Sequence, residues 1–107
     1  MHLNIKIENR MKAVMIVMDQ AHYDQVVKDL ASLNIRGFTS WKEVYGKGSQ
    51  HGIPHYGTHA WPSINNAILT VVEDDRVPLL LNYLKEEDKR SVHLGLRAFV
   101  WNIEEMI

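Results

Sequence analysis

Residues 11–18 read Met-Lys-Ala-Val-Met-Ile-Val-Met, apolar everywhere except Lys12. Successive side chains of a strand point to opposite faces, so a strand of this composition is apolar on both sides and needs cover on both. Residues 64–72 (INNAILTVV) set the same demand in their second half. A chain of 107 residues has room for one core and too little length for two ordinary domains. Its helices can therefore cover one face of the sheet, and the other face calls for something apolar from elsewhere.

The remaining segments fit around these two strands. Asp19 is placed to cap a helix, and Tyr23, Val26, Val27, Leu30 and Leu33 follow at helical spacing, which predicts an amphipathic helix of about 14 residues. Asn34 and Gly37 bracket its exit. Residues 38–45 (FTSWKEVY) are rich in aromatic and β-branched residues and read as a second strand. After the third strand, Asp74 or Asp75 is positioned to cap a second helix, with Pro78 in its first turn and Val77, Leu80, Leu81 and Leu84 on its apolar face. The polar run at 86–91 (EEDKRS) reads as its solvated end, and residues 94–103 (LGLRAFVWNI) as a last strand. Residues 1–10 alternate apolar and polar and fit either an extra edge strand or an extension ahead of Met11. The order is βαββαβ, which predicts an α+β, ferredoxin-like sandwich with both helices on one face of an antiparallel sheet. Residues 1–107 then form a single domain. Trp41, Phe99, Trp101 and the methionines leave the other face apolar, and further copies of the same chain are its simplest cover.

Composition removes several classes of function. There is no cysteine, so disulfides, thiolate metal sites and cysteine nucleophiles are excluded. A formal net charge of −1 gives no nucleic-acid footprint. No apolar run approaches the roughly 20 residues that span a bilayer, and the N-terminal segment lacks a signal-peptide cleavage site, so a cytoplasmic protein is expected rather than a membrane-embedded one. No Ser–His–Asp or paired-carboxylate arrangement has a supporting context, and His22 and His93 stand alone as structural histidines, so the chain reads as a binding protein and not an enzyme.

Between the second and third strands lies a long loop, residues 43–62 (EVYGKGSQHGIPHYGTHAWP). It holds four of the six glycines, three of the six histidines and two of the three prolines. Loops this long inside a compact domain are commonly functional. Glycines at 46, 48 and 52 let backbone N–H groups approach an anion, and a nearby Lys or Arg supplies charge. His51, His55 and His59 recur every four residues, which on a helix would present one metal-binding face; Gly52, Pro54 and Gly57 work against a continuous helix there.

The run from Gly37-Phe38-Thr39 through Glu43-Val44-Tyr45-Gly46-Lys47-Gly48-Ser49-Gln50-His51-Gly52 resembles the second strand and T-loop of PII-type nitrogen-regulatory signalling proteins, where the pattern is roughly G-M-T-V-T-E-V-x-G-F-G-R-Q-K-G. The acidic start of the second helix and the closing G-x-R-A-F-V strand carry the resemblance across about residues 11–104. It implies a homotrimer that binds an adenine nucleotide (ATP, ADP or AMP) between subunits. A T-loop, here residues 46–61, would report the bound ligand to a target protein such as a membrane transporter or an enzyme. Position by position it implies Gly37 and Thr39 near base and ribose, and Gly46, Lys47, Gly48 and Gln50 near the phosphates. Arg97 takes the place of a phosphate-facing lysine, and Arg90 reaches toward a neighbouring subunit's ligand.

The chain departs from the family pattern at Ser49 and His51, where arginine and lysine are usual, and Tyr56 matches the usual modified tyrosine only loosely. The family's T-G-x-x-G-D-G-K phosphate loop is replaced by Asp88-Lys89-Arg90-Ser91-Val92-His93-Leu94-Gly95. This implies a divergent member without the usual triphosphate cradle, for which a related small anion is also a candidate effector. Relatives of this fold linked to metal tolerance, CutA among them, supply the alternative of a metal-responsive protein using His51, His55 and His59.

Overall fold

The computed structural model describes residues 10–45, 64–91 and 93–107. Strand β1 (Met11–Asp19) runs through a 3-10 turn (Gln20–His22) into helix α1 (Tyr23–Ser32), followed by β2 (Thr39–Val44) and β3 (Asn65–Glu73). A second 3-10 turn (Asp74–Arg76) leads into α2 (Val77–Arg90), and β4 (Leu96–Asn102) closes the chain. The sheet order is β2-β3-β1-β4 and every pair is antiparallel, the ferredoxin-like βαββαβ arrangement.

Local chemistry explains most boundaries. Asp19 does cap: its carboxylate accepts the Ala21 N–H at 2.9 Å, although the turn it opens is 3-10 rather than α. At the other end, Asn34 takes a left-handed φ of 60°. Its N–H donates to Ala31 O at 2.9 Å and the Ile35 N–H to Leu30 O at 2.8 Å, the paired bonds of a Schellman cap, with Leu30 and Ile35 both buried. The Arg76 guanidinium donates to the Leu33 carbonyl and so ties the start of α2 to the end of α1.

Two expectations are corrected. Asp74 and Asp75 do not cap α2; they lie within the 3-10 turn, whose capping position is Glu73, with no side-chain bond. Their charges still sit near the helix's positive end. Strand β4 begins at Leu96 and not at Leu94, because the carbonyls of Leu94 and Gly95 bond to His22 and Asp19 instead of a strand.

Val14, Ile16 and Met18 of β1, Ile68 and Val72 of β3 and Leu96 of β4 point to one face. There they pack against Val26 and Leu30 of α1 and Leu80 and Leu84 of α2. The opposite face has no helix among the described residues. Register places Trp41 in line with Ala67 and Val17, Leu69 beside Met15 and Phe99, and Val71 beside Ala13 and Trp101. Trp41, Phe99 and Trp101 remain exposed, at 44%, 55% and 47%. Both faces of β1 are therefore apolar for different reasons: one builds the core and the other has no cover among the described residues.

Asn34 tolerates its left-handed conformation where a branched side chain would not. Asn34→Val should lower stability by roughly 1–2 kcal/mol while Asn34→Gly is neutral or better, read from urea unfolding midpoints. Equal midpoints for the two variants would remove the cap from this account.

Candidate functional site

The antiparallel register gathers the loop bases at one end of the sheet. Asp19, at the end of β1, pairs with Asn65 at the start of β3, and Asn65 also faces Val44, the last residue of β2. Met18 pairs with Leu96, the first residue of β4. The described residues on either side of 46–63, Val44 and Asn65, are thus at the same end of the sheet as Leu96. The link between β1 and α1 holds the entries to β3 and β4: the Gln20 N–H donates to Ile64 O at 2.8 Å and the Asp19 N–H to Gly95 O at 2.9 Å. Close by, Glu43 adopts a φ of 60° where β2 slips register, and its N–H donates to the side-chain oxygen of the buried Asn66.

Behind this end lies a buried polar cluster. His22 is 2% exposed, and its Nδ1 lies 2.7 Å from Glu87 Oε2. Its Nε2 donates to the Leu94 carbonyl at 3.3 Å. The other Glu87 oxygen, Oε1, accepts from the Arg90 guanidinium at 3.3 Å. Removing one member of a buried pair typically costs about 3–5 kcal/mol, because the partner is left uncompensated. Glu87 is itself buried, so the 86–91 run is not uniformly solvated as its composition suggests. His22 is structural as expected but not isolated. Its partner lies 65 residues away, a pairing with no local signature. Only the presence of a histidine on the inward side of the first turn hints at it.

Asp29 of α1 belongs to the same cluster. Burial pushes its carboxyl above the ordinary aspartate range; the Gln25 amide, donating at 3.0 Å, works against this, and the nearby charge of Glu87 adds to it.

The structure describes Gly37, Thr39, Arg90 and Arg97 of the expected ligand residues; Gly46, Lys47, Gly48 and Gln50, with His51, His55 and His59, lie outside the described residues. Among the described residues no group of three or more His, Asp or Glu side chains is arranged to hold a metal. Gly37 precedes β2, its carbonyl accepting from Thr70 Oγ1 at 2.7 Å, and a Cβ added there would meet nothing within 4 Å. Thr39 opens β2 and is exposed. Arg90 ends α2 with its side chain 65% exposed. Arg97 lies on β4, its guanidinium bonded to Leu96 O at 3.0 Å, and lines a groove of about 220 Å³. Leu81, Leu84, Lys85 and Asp88 of α2 form much of the groove's wall. Lys85 is a cation that the sequence reading passes over, because it sits in the middle of an ordinary amphipathic helix.

These residues fall into two groups. Gly37 and Thr39 belong to the β2 edge, Arg90 and Arg97 to the β4 edge and the end of α2. Three strand spacings, roughly 14 Å, separate the edges. One small anion cannot touch both groups within a single chain.

Comparison with known proteins agrees with this architecture. The family model described as nitrogen regulatory protein P-II matches residues 11–107. No curated protein matches the sequence. Among solved structures, a PII-like signalling protein from Thermus thermophilus superposes with a TM-score of 0.64 at 23% identity, covering 89% of this chain and 88% of that one. CPII, a nitrogen regulatory PII-like protein from Thiomonas intermedia bound to ADP, AMP and bicarbonate, gives 0.65 at 20% identity, with 91% and 96% covered. A DUF3240 family protein from Shewanella baltica gives 0.66 at 14% identity, with 91% and 93% covered. At these identities the structures speak to the fold alone.

The Asp29 environment makes a signed prediction. Its carboxyl is harder to ionise folded than unfolded, so ionisation costs stability. The cost is absent in acid below the unfolded value, grows as pH rises toward the folded value, and is fully present above it. Asp29→Asn should therefore melt above wild type at pH 7–8, with the difference shrinking near pH 4. A melting difference that does not change with pH would contradict this.

Proposed function

Because the chain belongs to the nitrogen regulatory protein P-II family, we propose that it is a homotrimeric regulator holding an adenine nucleotide, or a small anion such as bicarbonate, in clefts between subunits. The division of the ligand residues between opposite sheet edges carries this reading. A ring of copies would set the β2 edge of one chain against the β4 edge of the next, making one site from two halves. The same assembly would cover Trp41, Phe99 and Trp101, which are exposed in the single chain. CPII, with its bound ADP, AMP and bicarbonate, supplies the class of ligand to test first.

The basic residues of the β4 edge would face the phosphates. Arg90 and Arg97 offer charge-assisted hydrogen bonds, and Lys85 adds charge at the groove between β4 and α2. On the other half, Gly37 and Thr39 would border base and ribose, while Gly46, Lys47, Gly48 and Gln50 would approach the phosphates from the loop. Binding there would order residues 46–61 and change their affinity for a target protein, a ligand-driven population shift. The target, a transporter or an enzyme, is read through the loop in the cytoplasm, and the chain regulates it without itself catalysing a reaction.

Light scattering should give three times the chain mass of 12.4 kDa, independent of dilution through the micromolar range. Titration calorimetry with ADP, AMP, ATP and bicarbonate should find a ligand for that trimer. Gly37→Ala should fold normally, given the open space around its Cβ position, and weaken nucleotide binding by about tenfold through contact with the ligand. A monomer, or a trimer that binds none of the four ligands, would sink the nucleotide reading. Zinc binding lost in a His51/His55/His59→Ala chain would instead support the metal role of the loop.

A further inference from the structure

We propose that Trp41 belongs to the ligand site as a positioning residue, its indole ring stacking against the Arg97 guanidinium of a neighbouring copy. This rests on the reading that the β2 edge of one copy meets the β4 edge of the next. Sheet register carries the assignment. Arg97 pairs with Val17, Val17 with Ala67 and Ala67 with Trp41, so the four form one row across the sheet. Along the strands they alternate with the core residues Ile16, Met18, Ile68 and Leu96. Directly paired residues share a face, so the row lies on the face opposite the helices. It has an arginine at one edge of the sheet and a tryptophan at the other.

Both ends are placed for such a contact. The Gly95 carbonyl accepts from the Asp19 N–H and therefore points toward β1. The next carbonyl, that of Leu96, points the other way, to the free edge of β4. The Arg97 guanidinium donates to this Leu96 carbonyl at 3.0 Å, which holds it at the rim an incoming copy would meet. Arg97 is exposed, and among the described residues no carboxylate pairs with it. Trp41 is 44% exposed on β2, two residues after Thr39 and on the same face. Its neighbour Lys42 points to the helical face and has an aromatic partner within the chain, Nζ lying 5.7 Å from the centre of the Tyr23 ring.

Within one chain the ends of the row are separated by three strand spacings, roughly 14 Å, beyond the ~6 Å range of a cation–π contact. A second copy removes that separation. Strands β2 and β4 run in opposite directions, so in a head-to-tail ring they meet as antiparallel edges. Alignment of the rows across the junction then sets Arg97 of one copy beside Trp41 of the next. A guanidinium lies flat on an aromatic face and keeps its N–H groups in the ring plane free for phosphate oxygens. Trp41 would thus hold in one orientation a charge that a long flexible side chain otherwise spreads over many.

The test uses the full-length protein grown on fluorinated tryptophan, with the Trp41 fluorine resonance assigned from a Trp41→Phe chain. Arg97→Ala should move that resonance in the assembled protein. Labelled Arg97→Ala chains refolded with an excess of unlabelled wild type should regain the wild-type resonance, because the arginine that Trp41 meets comes from the other chain. With ADP as probe, Trp41→Leu, which stays apolar but has no ring, should bind about two- to tenfold more weakly than wild type. Trp41→Phe, which keeps a ring, should bind close to wild type. Packing alone predicts equal affinities for the Leu and Phe variants. That equality, a resonance indifferent to Arg97→Ala, or a shift that mixing does not reverse would overturn the proposal. A monomeric wild type would defeat the assembly reading and this contact with it. A trimer that binds no ADP would defeat the nucleotide reading alone, and the two resonance measurements would then decide the stacking.

Discussion

Four residues at the junction of β1 and α1, Asp19 to His22, hold together the end of the molecule that carries the candidate site. Asp19 and Gln20 use their backbone N–H groups to fix Gly95 and Ile64, which are the thresholds of β4 and β3. His22 fixes Leu94 and Glu87 from inside the fold. Among the described residues every buried side-chain polar atom has a partner, as the cost of burying an unpaired donor or acceptor demands. A short segment thereby ties together the described residues that lead into β3 and β4. The fold positions its candidate site by backbone hydrogen bonds and one buried ionisable pair, not by a preformed cavity.

The open sheet face imposes the second constraint. The two helices cover one face of the four-stranded sheet, and Trp41, Phe99, Trp101, Val71 and Met15 lie on the other, which has no cover among the described residues. Evolution of an isolated monomer would be expected to place polar side chains there, since large contiguous apolar patches favour association. The division of the expected ligand residues between two edges points the same way. In the proposed assembly the apolar face would supply the association energy and the edges the chemistry, so that assembly and ligand binding would both follow from one sheet geometry.

Much of the scaffold was legible because its signals are local. The both-sided apolar character of residues 11–18 identifies a central strand and, with it, an uncovered face; Asn34 marks the end of α1 through its tolerance of left-handed backbone. What escaped depends on contacts distant in sequence or on competition between groups. Glu87 looks like one more charge in a polar helix end until His22 is brought to it across 65 residues. The first two residues of the last apolar run look like strand, yet their carbonyls are claimed by the β1–α1 link. Asp74 and Asp75 have the right chemistry for a cap, but the helix begins one 3-10 turn later than their position suits. The register slip at Glu43 has no glycine to announce it. At the groove beside β4, Arg97 was legible through family resemblance and Lys85 was not, since nothing in a helical pattern says which lysine borders a groove.

The central claim is that each ligand site is assembled from the β2 edge of one copy and the β4 edge of another. Subunit complementation tests it most directly. One parent would carry Arg90→Ala and Arg97→Ala, the other Lys47→Ala and Gln50→Ala, and the two would be co-expressed and sorted by differential tags. Each parent trimer should bind no ADP. Every mixed trimer contains one junction with both intact halves, so native mass spectrometry should show a single ADP bound to it. Mixed trimers as empty as their parents would contradict the account.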